Sequence, residues 1–226
     1  MSFRLLRRLA RYGRRRAIRQ LAACIVVLPA LAALPAQARE IRIMMLGDSI
    51  TAGYGLPRGQ ALPVRLEAAL RAKGLDVRII DAGVSGDTTA GGRARLDWAL
   101  ADRPQAVIVA LGGNDGLRGI EPRASEANLA AILDALKARG LPAMLAGMLA
   151  PPNLGADYGR DFAGTFARLA AARPEVVFYP FLLDGVAGEP TLNQPDRIHP
   201  NEAGVAELVR RMLPAVESLL ARIPAG

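Results

Sequence analysis

The sequence is poor in the residues that build disulfides, metal centres and thiol sites. Its 226 residues include one cysteine, Cys24, and one histidine, His199. A transition-metal site would have to combine that single histidine with carboxylates, which is a poor ligand set for such metals. Cys24 lies in an N-terminal segment that we predict to be removed, so we expect no disulfide or thiol chemistry. We therefore expect neither a metal nor any other cofactor.

Acidic residues are absent from the first 38 positions, and this absence explains the basic character of the chain. The formal net charge is +8, but residues 1–38 hold eight arginines and no acid. Residues 39–226 contain 21 basic and 21 acidic residues and are therefore neutral overall. This balance gives no electrostatic reason to expect a nucleic-acid partner.

Residues 1–38 have the three parts of a secretory signal. An arginine-rich start is followed by LAACIVVLPALAALP and by Ala36-Gln37-Ala38, so we predict cleavage after Ala38. An uncleaved membrane anchor is the alternative, but the apolar run is shorter than the ~20 residues of a span and contains Pro29. Cys24 precedes most of this run, which argues against a lipoprotein. We expect an exported protein, periplasmic or secreted, with one domain at 39–226 and no stable membrane anchor after cleavage.

Short apolar runs alternate with longer segments of helical period in residues 39–226. This alternation predicts a parallel sheet with helices on both faces. The predicted strands are Ile41–Leu46, Val77–Asp81, Ala106–Leu111, Ala143–Met148 and Val176–Tyr179. The predicted helices are Leu62–Lys73, Thr88–Leu100, Ser125–Arg139, Asp161–Ala172 and Asn201–Arg222.

Local residues suggest where some of these helices begin and end. Ser125 suits an N-cap, and Gly74 and Gly140 suit helix C-termini. The segment Ala150–Gly159 is rich in proline and glycine, so we predict an irregular surface loop after the fourth strand.

Ser49 follows the first predicted strand in the stretch IMMLGDSITAG. Ligands of such sheets bind at the carboxyl ends of the strands, so Ser49 would lie at the ligand-binding edge. Taken alone, this stretch is better explained as a βα turn with a capping residue. Ser85, after the second strand, is a rival for the same role.

His199 stands in DRIHPN, three residues after Asp196. A turn of this length can bring the carboxylate to one ring nitrogen and leave the other free to accept a proton. A serine nucleophile needs such a base, and the base needs an acceptor that orients it. Acyl transfer also needs hydrogen-bond donors for an oxyanion, which the turns at 83–86 and 112–115 could supply, although each is also an ordinary glycine-rich turn.

Four motifs in order resemble the blocks of the SGNH (GDSL-type) hydrolases: GDSIT, Gly86 in GVSGDTT, Asn114 in GGNDGLRG, and DRIHPN. The longer strings resemble the secreted arylesterases and acyl-CoA thioesterases with lysophospholipase activity. The resemblance covers roughly residues 41–222. One difference is Ile50, which stands where the GDSL motif has leucine. It implies a flavodoxin-like, three-layer α/β/α sandwich with five parallel strands.

The same resemblance implies roles for the matching residues. Ser49 would be the nucleophile, His199 the base and Asp196 its orienting carboxylate. The oxyanion donors would be the backbone N–H groups of Ser49 and Gly86 and the side-chain amide of Asn114. The implied reaction is hydrolysis of small-molecule aryl esters, short-to-medium acyl esters or thioesters, and lysophospholipids.

Apolar residues near the strand-end loops could line an acyl groove, although such residues are as often ordinary core. They are Leu117, Ile120, Met148, Leu149, Leu154 and Tyr158. Two alternatives remain open. One is a sugar O-acetyl esterase with the same catalytic residues, and the other is a non-catalytic nucleotide-binding module using Asp81, although its glycines fail G-x-G-x-x-G. The oligomeric state is not readable from the sequence.

Overall fold

The computed structural model describes residues 40–224. The predicted leader, its cleavage site and Cys24 lie outside these residues. The central sheet has five parallel strands in the order β2-β1-β3-β4-β5, which confirms the predicted α/β architecture. The strands are β1 Ile41–Gly47, β2 Val77–Gly83, β3 Ala106–Ala110, β4 Ala143–Ala146 and β5 Val177–Tyr179.

Helices connect these strands and cover the sheet. They are α1 Ser49–Ala52, α2 Leu62–Ala72, α3 Thr89–Ala94, α4 Leu96–Ala99, α5 Gly113–Leu117, α6 Pro122–Ala138, α7 Ala156–Ala171 and α8 Glu202–Leu220. Three 3₁₀ turns lie at Leu100–Asp102, Pro152–Leu154 and Pro190–Leu192. None of the helices within 40–224 is long and apolar enough to cross a membrane.

The strands are apolar because both faces of the sheet are covered. All five residues of β3 and the last five of β1 are buried, as expected for the central strands of a parallel sheet. The helices contribute one apolar face each; Phe162 and Phe166 of α7 are among the largest fully buried side chains.

The register of the three neighbouring strands places their ends side by side. Gly47 at the end of β1 pairs with Gly83 of β2 on one side and with Ala110 of β3 on the other. The loops after β1, β2 and β3 therefore start from one edge of the sheet, where ligands of this architecture bind.

The predicted N-cap at Ser125 is wrong. Helix α6 begins three residues earlier, at Pro122, whose ring fixes a helical φ and whose missing N–H costs nothing at the first helical position. Ser125 is buried, and its hydroxyl donates to the Asp115 carboxylate at 2.9 Å. The side chain therefore makes a tertiary contact.

Two other helix boundaries differ from the prediction. The segment predicted as one helix, Thr88–Leu100, divides into α3 and α4 because Arg95 leaves helical geometry, with φ −100° and ψ 3°. Helix α7 begins at Ala156 and includes part of the predicted loop, after a turn at Gly155 with φ +91°. The stops at Gly74 and Gly140 are confirmed, because both adopt positive φ just after a helix.

Candidate active site

Ser49 is the first residue of the single-turn helix α1, directly beyond the buried strand β1. Asp48 caps this helix, and its Oδ1 accepts the N–H of Ile50 at 3.0 Å. Gly47 is required at the strand end because a β-carbon there would lie 2.0 Å from Thr51 Oγ1. The tight turn fixes the backbone that carries the Ser49 hydroxyl.

His199 reaches Ser49 from the other end of the folded chain. Its Nε2 lies 2.9 Å from Ser49 Oγ, and its Nδ1 lies 2.7 Å from Asp196 Oδ2. An ionised Asp196 can only accept, so Nδ1 carries the proton and donates to it. Nε2 is then free to accept the hydroxyl proton of Ser49. The predicted convergence of serine, histidine and aspartate is present in the structure.

The Asp196 carboxylate is held in its ionised form. Partial burial raises its pKa, but the hydrogen bond from the His199 ring and those from the N–H groups of His199 and Ile198 outweigh that effect. The net result lowers its pKa to about 2. The two backbone bonds measure 3.0 and 2.9 Å and both end on Oδ1. Oδ2 is therefore left to orient the imidazole.

The turn that carries His199 is fixed by further contacts that the sequence did not reveal. The side-chain amide of Gln194 donates to the Tyr54 carbonyl at 2.7 Å and to the Pro200 carbonyl at 3.0 Å. The Tyr54 ring lies 4.6 Å from the His199 ring, centroid to centroid. Gln194 and Tyr54 thus connect the turn of the base to the segment that follows Ser49.

The two other predicted oxyanion donors follow the ends of β2 and β3: Gly86 lies in the loop after β2, and Asn114 lies in the short helix α5 after β3. Gly86 adopts φ +82°, a conformation that favours glycine. The Asn114 amide donates to the Asp87 carbonyl at 2.9 Å and makes a longer contact of 3.4 Å with Asp48 Oδ2. Asn114 shares a cavity wall with Ser49, and its hydrogen bond to Asp87 ties it to the loop that carries Gly86.

Asp48 is a second functional candidate that the sequence did not mark. It is 3% exposed, and this burial raises its pKa to about 6 despite the opposing effects of the Ile50 N–H and of nearby His199. A carboxyl with such a shift beside a nucleophile suggests a functional position. Its sequence signals were its place in the GDSIT motif and its position as a possible helix cap before Ser49.

A cavity of about 510 Å³ opens beside Ser49 and Asn114. Its mostly apolar walls include Leu117, Met148, Leu149, Phe181, Leu183 and Ile198. Three of the six predicted lining residues are thus present. The other three, Ile120, Leu154 and Tyr158, do not line it. The Tyr158 hydroxyl donates to the Ile120 carbonyl at 2.7 Å, and Leu154 lies beside Gly119.

The alternatives left open by the sequence find less support. The single histidine contacts Ser49, whereas Ser85 lies exposed in the loop after β2. Asp81, the proposed ribose ligand, uses Oδ1 to accept the N–H of Gly83 at 2.8 Å. Residues 40–224 contain no cluster of three or more histidine, cysteine or acidic side chains that could hold a metal.

Comparison with known proteins decides the family. The model of the GDSL-like lipase/acylhydrolase family matches residues 45–206. The chain belongs to this family. That range includes all four motifs of the resemblance and both members of the Ser49–His199 contact.

Relatives of this GDSL-family chain carry esterase names. It is 38% identical over 192 residues to Esterase TesA of Pseudomonas aeruginosa, covering 84% of this chain and 95% of that protein. It is 37% identical over 160 residues to thioesterase 1/protease 1/lysophospholipase L1 of Escherichia coli K12, covering 70% and 75%. Among solved structures, the SGNH-hydrolase family esterase AlinE4 superposes with a TM-score of 0.68 and 46% identity, covering 84% of this chain and all of that one.

Proposed function

We propose that this protein is a serine esterase that hydrolyses carboxylic esters through an acyl-enzyme on Ser49. The observation that carries the proposal is the continuous chain of contacts from Ser49 Oγ to His199 and from His199 to Asp196, at 2.9 and 2.7 Å. A hydroxyl, a base and an orienting carboxylate in this order are the parts of an activated serine nucleophile.

The reaction proceeds in two steps. His199 Nε2 takes the hydroxyl proton as Ser49 Oγ attacks the ester carbonyl, and the tetrahedral intermediate collapses as His199 protonates the departing alcohol. An acyl group then remains on Ser49. Water attacks this second ester while His199 takes its proton, and the carboxylic acid leaves as Ser49 regains its hydrogen. Asp196 stabilises the imidazolium that forms in each step.

Three donors are available for the negative oxygen of the intermediate: the N–H groups of Ser49 and Gly86 and the amide of Asn114. One Asn114 N–H is bound to the Asp87 carbonyl at 2.9 Å, which orients the side chain. Nδ2 makes only a long contact of 3.4 Å with Asp48 Oδ2, so its second N–H is weakly engaged and can donate to a developing oxyanion. Loss of one such donor typically lowers kcat by about 10²–10³.

The cavity beside Ser49 supports acyl groups of short to medium length as substrates. Its walls are mainly apolar, and burial of each methylene favours binding by roughly 0.8 kcal/mol. Thioesters and lysophospholipids are further candidates, because one relative is named thioesterase 1 and lysophospholipase L1. The apolar lining gives no specific support to a sugar O-acetyl substrate.

We propose also that residues 1–38 direct export and that the mature enzyme begins at Arg39. The basic start, apolar run and Ala36-Gln37-Ala38 ending support this proposal. N-terminal sequencing of the protein recovered from the periplasm or the medium tests it. A mature chain that still begins with the arginine-rich segment would contradict it.

A fluorophosphonate probe tests the catalytic proposal. The expected result is one covalent adduct on the peptide containing Ser49, with parallel loss of p-nitrophenyl butyrate hydrolysis. Ser49→Ala should abolish both labelling and hydrolysis. Ser85→Ala is the matched control, because Ser85 lies in the neighbouring loop, and it should leave both unchanged. An adduct on Ser85, or an active Ser49→Ala variant, would contradict the proposal.

A further inference from the structure

Arg95 lies behind the loops of the active site and has no part in the chemistry described above. Its Nε donates to Asp87 Oδ2 at 2.7 Å, and its Nη2 donates to the Gly47 carbonyl at 2.8 Å. The Arg95 and Asp87 side chains are only 16% and 13% exposed. The guanidinium therefore connects the end of β1 with the loop after β2 by two charge-assisted hydrogen bonds in a mostly dry setting.

Both ends of this connection lie next to proposed oxyanion donors. Gly47 is two residues before Ser49, and Asp87 directly follows Gly86. The Asp87 carbonyl also accepts the Asn114 amide at 2.9 Å. A shift of Asp87 would therefore move the Gly86 N–H and the Asn114 side chain together, relative to the Ser49 turn.

The local packing leaves little freedom for another arrangement. A β-carbon at Gly91 would lie 1.8 Å from Asp87 Oδ1, so the carboxylate rests directly on the start of helix α3. Arg95 is the residue at which α3 ends and α4 begins. Lysine carries one compact ammonium and lacks the planar fork with which arginine donates in two fixed directions.

We propose that Arg95 is a positioning residue for ester hydrolysis: by binding Gly47 and Asp87 at once, it sets the separation between the nucleophile turn and the other two oxyanion donors. The inference rests on the proposed function. Oxyanion donors act at about 2.7–3.1 Å from the developing charge, and a displacement of ~1 Å can cost about 100-fold in rate. The loss should appear in kcat and much less in KM.

A purely structural role is the competing explanation. Removing Arg95 alone leaves Asp87 as a nearly buried carboxylate without its partner, which is destabilising whatever the catalytic role. The double variant Arg95→Met/Asp87→Asn separates the two explanations, because it removes the unpaired charge while leaving the loops without their connection.

The experiment compares Arg95→Met, Arg95→Lys and the double variant with wild type. It measures kcat and KM for p-nitrophenyl butyrate, Tm, and the Ki of an alkyl trifluoromethyl ketone, whose adduct with serine carries an oxyanion. We expect kcat to fall by about 10- to 100-fold in Arg95→Met and in the double variant, with KM changed less than about threefold. Ki should rise by the same factor by which kcat/KM falls. In the double variant Tm should return toward the wild-type value while this loss of kcat/KM remains.

Arg93→Met is the matched control. Arg93 is an exposed arginine of α3, two residues away, and within residues 40–224 its side chain makes one hydrogen bond, to Asn128 Oδ1 at 3.3 Å. Its replacement should leave every value unchanged. Arg95→Lys should show a smaller loss of kcat than Arg95→Met. Recovery of kcat together with Tm in the double variant, or a loss confined to KM, would overturn the inference. If the inference fails but the fluorophosphonate probe still labels wild type at Ser49, the proposed esterase function stands. If wild type is not labelled at Ser49, the proposed function fails as well.

Discussion

Two carboxylates of the site have opposite environments. Asp48, beside the nucleophile, is buried at the end of the central strand, and burial raises its pKa to about 6. Asp196, beside the base, has a side chain that is 36% exposed, and hydrogen bonds lower its pKa to about 2. The nucleophile is thus held by the buried sheet, and the base by an exposed turn whose local hydrogen bonds favour the charged acid.

The ionised carboxylates of the two halves therefore have opposite effects on folding. Around Ser49, tight turns at the strand ends hold the backbone, and the charge of buried Asp48 opposes folding. Around His199, local hydrogen bonds hold the turn, and the charge of Asp196 favours the native arrangement.

Replacement of the base should have the largest effect. His199→Ala leaves Ser49 without a proton acceptor, so kcat should fall by something on the order of a millionfold, as when one member of a unit is lost. Steady-state kinetics with p-nitrophenyl butyrate measure this loss. A His199→Ala variant with undiminished kcat would exclude His199 as the base.

Replacement of the buried carboxylate should change the pH dependence of stability. The folded-state pKa of Asp48 exceeds its unfolded value of 3.8, so its ionisation destabilises the fold as pH rises from about 4 through 6. A shift of about two units amounts to at most about 3 kcal/mol. Asparagine does not ionise and can still accept the Ile50 N–H. The free energy of unfolding of Asp48→Asn minus that of wild type should therefore increase over this pH range and level off once Asp48 is fully ionised in the wild type.

Urea unfolding from pH 2 to 8 measures that difference, and Asp196→Asn provides the contrast. The pKa of Asp196 is lowered, so its contribution is present above about pH 4 and is lost as pH falls toward 2. The two variants should depart from wild type in separate pH windows. A pH-independent difference for Asp48→Asn would contradict the raised pKa of that carboxyl.

The smallest effect should come from replacing Gln194, whose side chain connects the turn that carries His199 to the segment that follows Ser49. Gln194→Ala removes the hydrogen bonds to the Tyr54 and Pro200 carbonyls at 2.7 and 3.0 Å, and the first of these holds the His199 turn against the Ser49 side. That one bond contributes about 0.5–1.5 kcal/mol, so kcat should fall by up to about tenfold. Gln60→Ala, in the loop before α2, should be neutral. A neutral Gln194→Ala would show that the turn holds its own position.

The sequence predicts the features that depend on local pattern. The apolar runs of β1 and β3 predict buried strands, and Gly74 and Gly140 predict helix ends because only their own φ is involved. Ser49, Asp196 and His199 are predicted because they stand in motifs that resemble a known family. The helix break at Arg95 and the role of Ser125 depend on distant partners, Gly47 and Asp115, that no local pattern reveals.

Only part of the cavity lining could be predicted from the sequence. Leu117, Met148 and Leu149 are predicted because they lie in loops at the strand ends. Phe181 and Leu183 line the same cavity but follow β5, so their approach to Ser49 depends on the strand order of the sheet. Tyr158 has an aromatic ring and lies close to the loop after β4, which is why the sequence predicts it in the cavity. Its hydroxyl instead donates to the Ile120 carbonyl, and the side chain does not line the cavity.

The proposed mechanism requires that Ser49 Oγ bonds to the substrate carbonyl carbon while the oxyanion donors bind the oxygen of the same carbonyl. A crystal structure of the enzyme treated with diethyl p-nitrophenyl phosphate measures this directly. We expect phosphorus to be bonded to Ser49 Oγ, with its phosphoryl oxygen within about 3 Å of the Gly86 nitrogen and Asn114 Nδ2. Phosphorus on another residue, or a phosphoryl oxygen directed away from both donors, would contradict it.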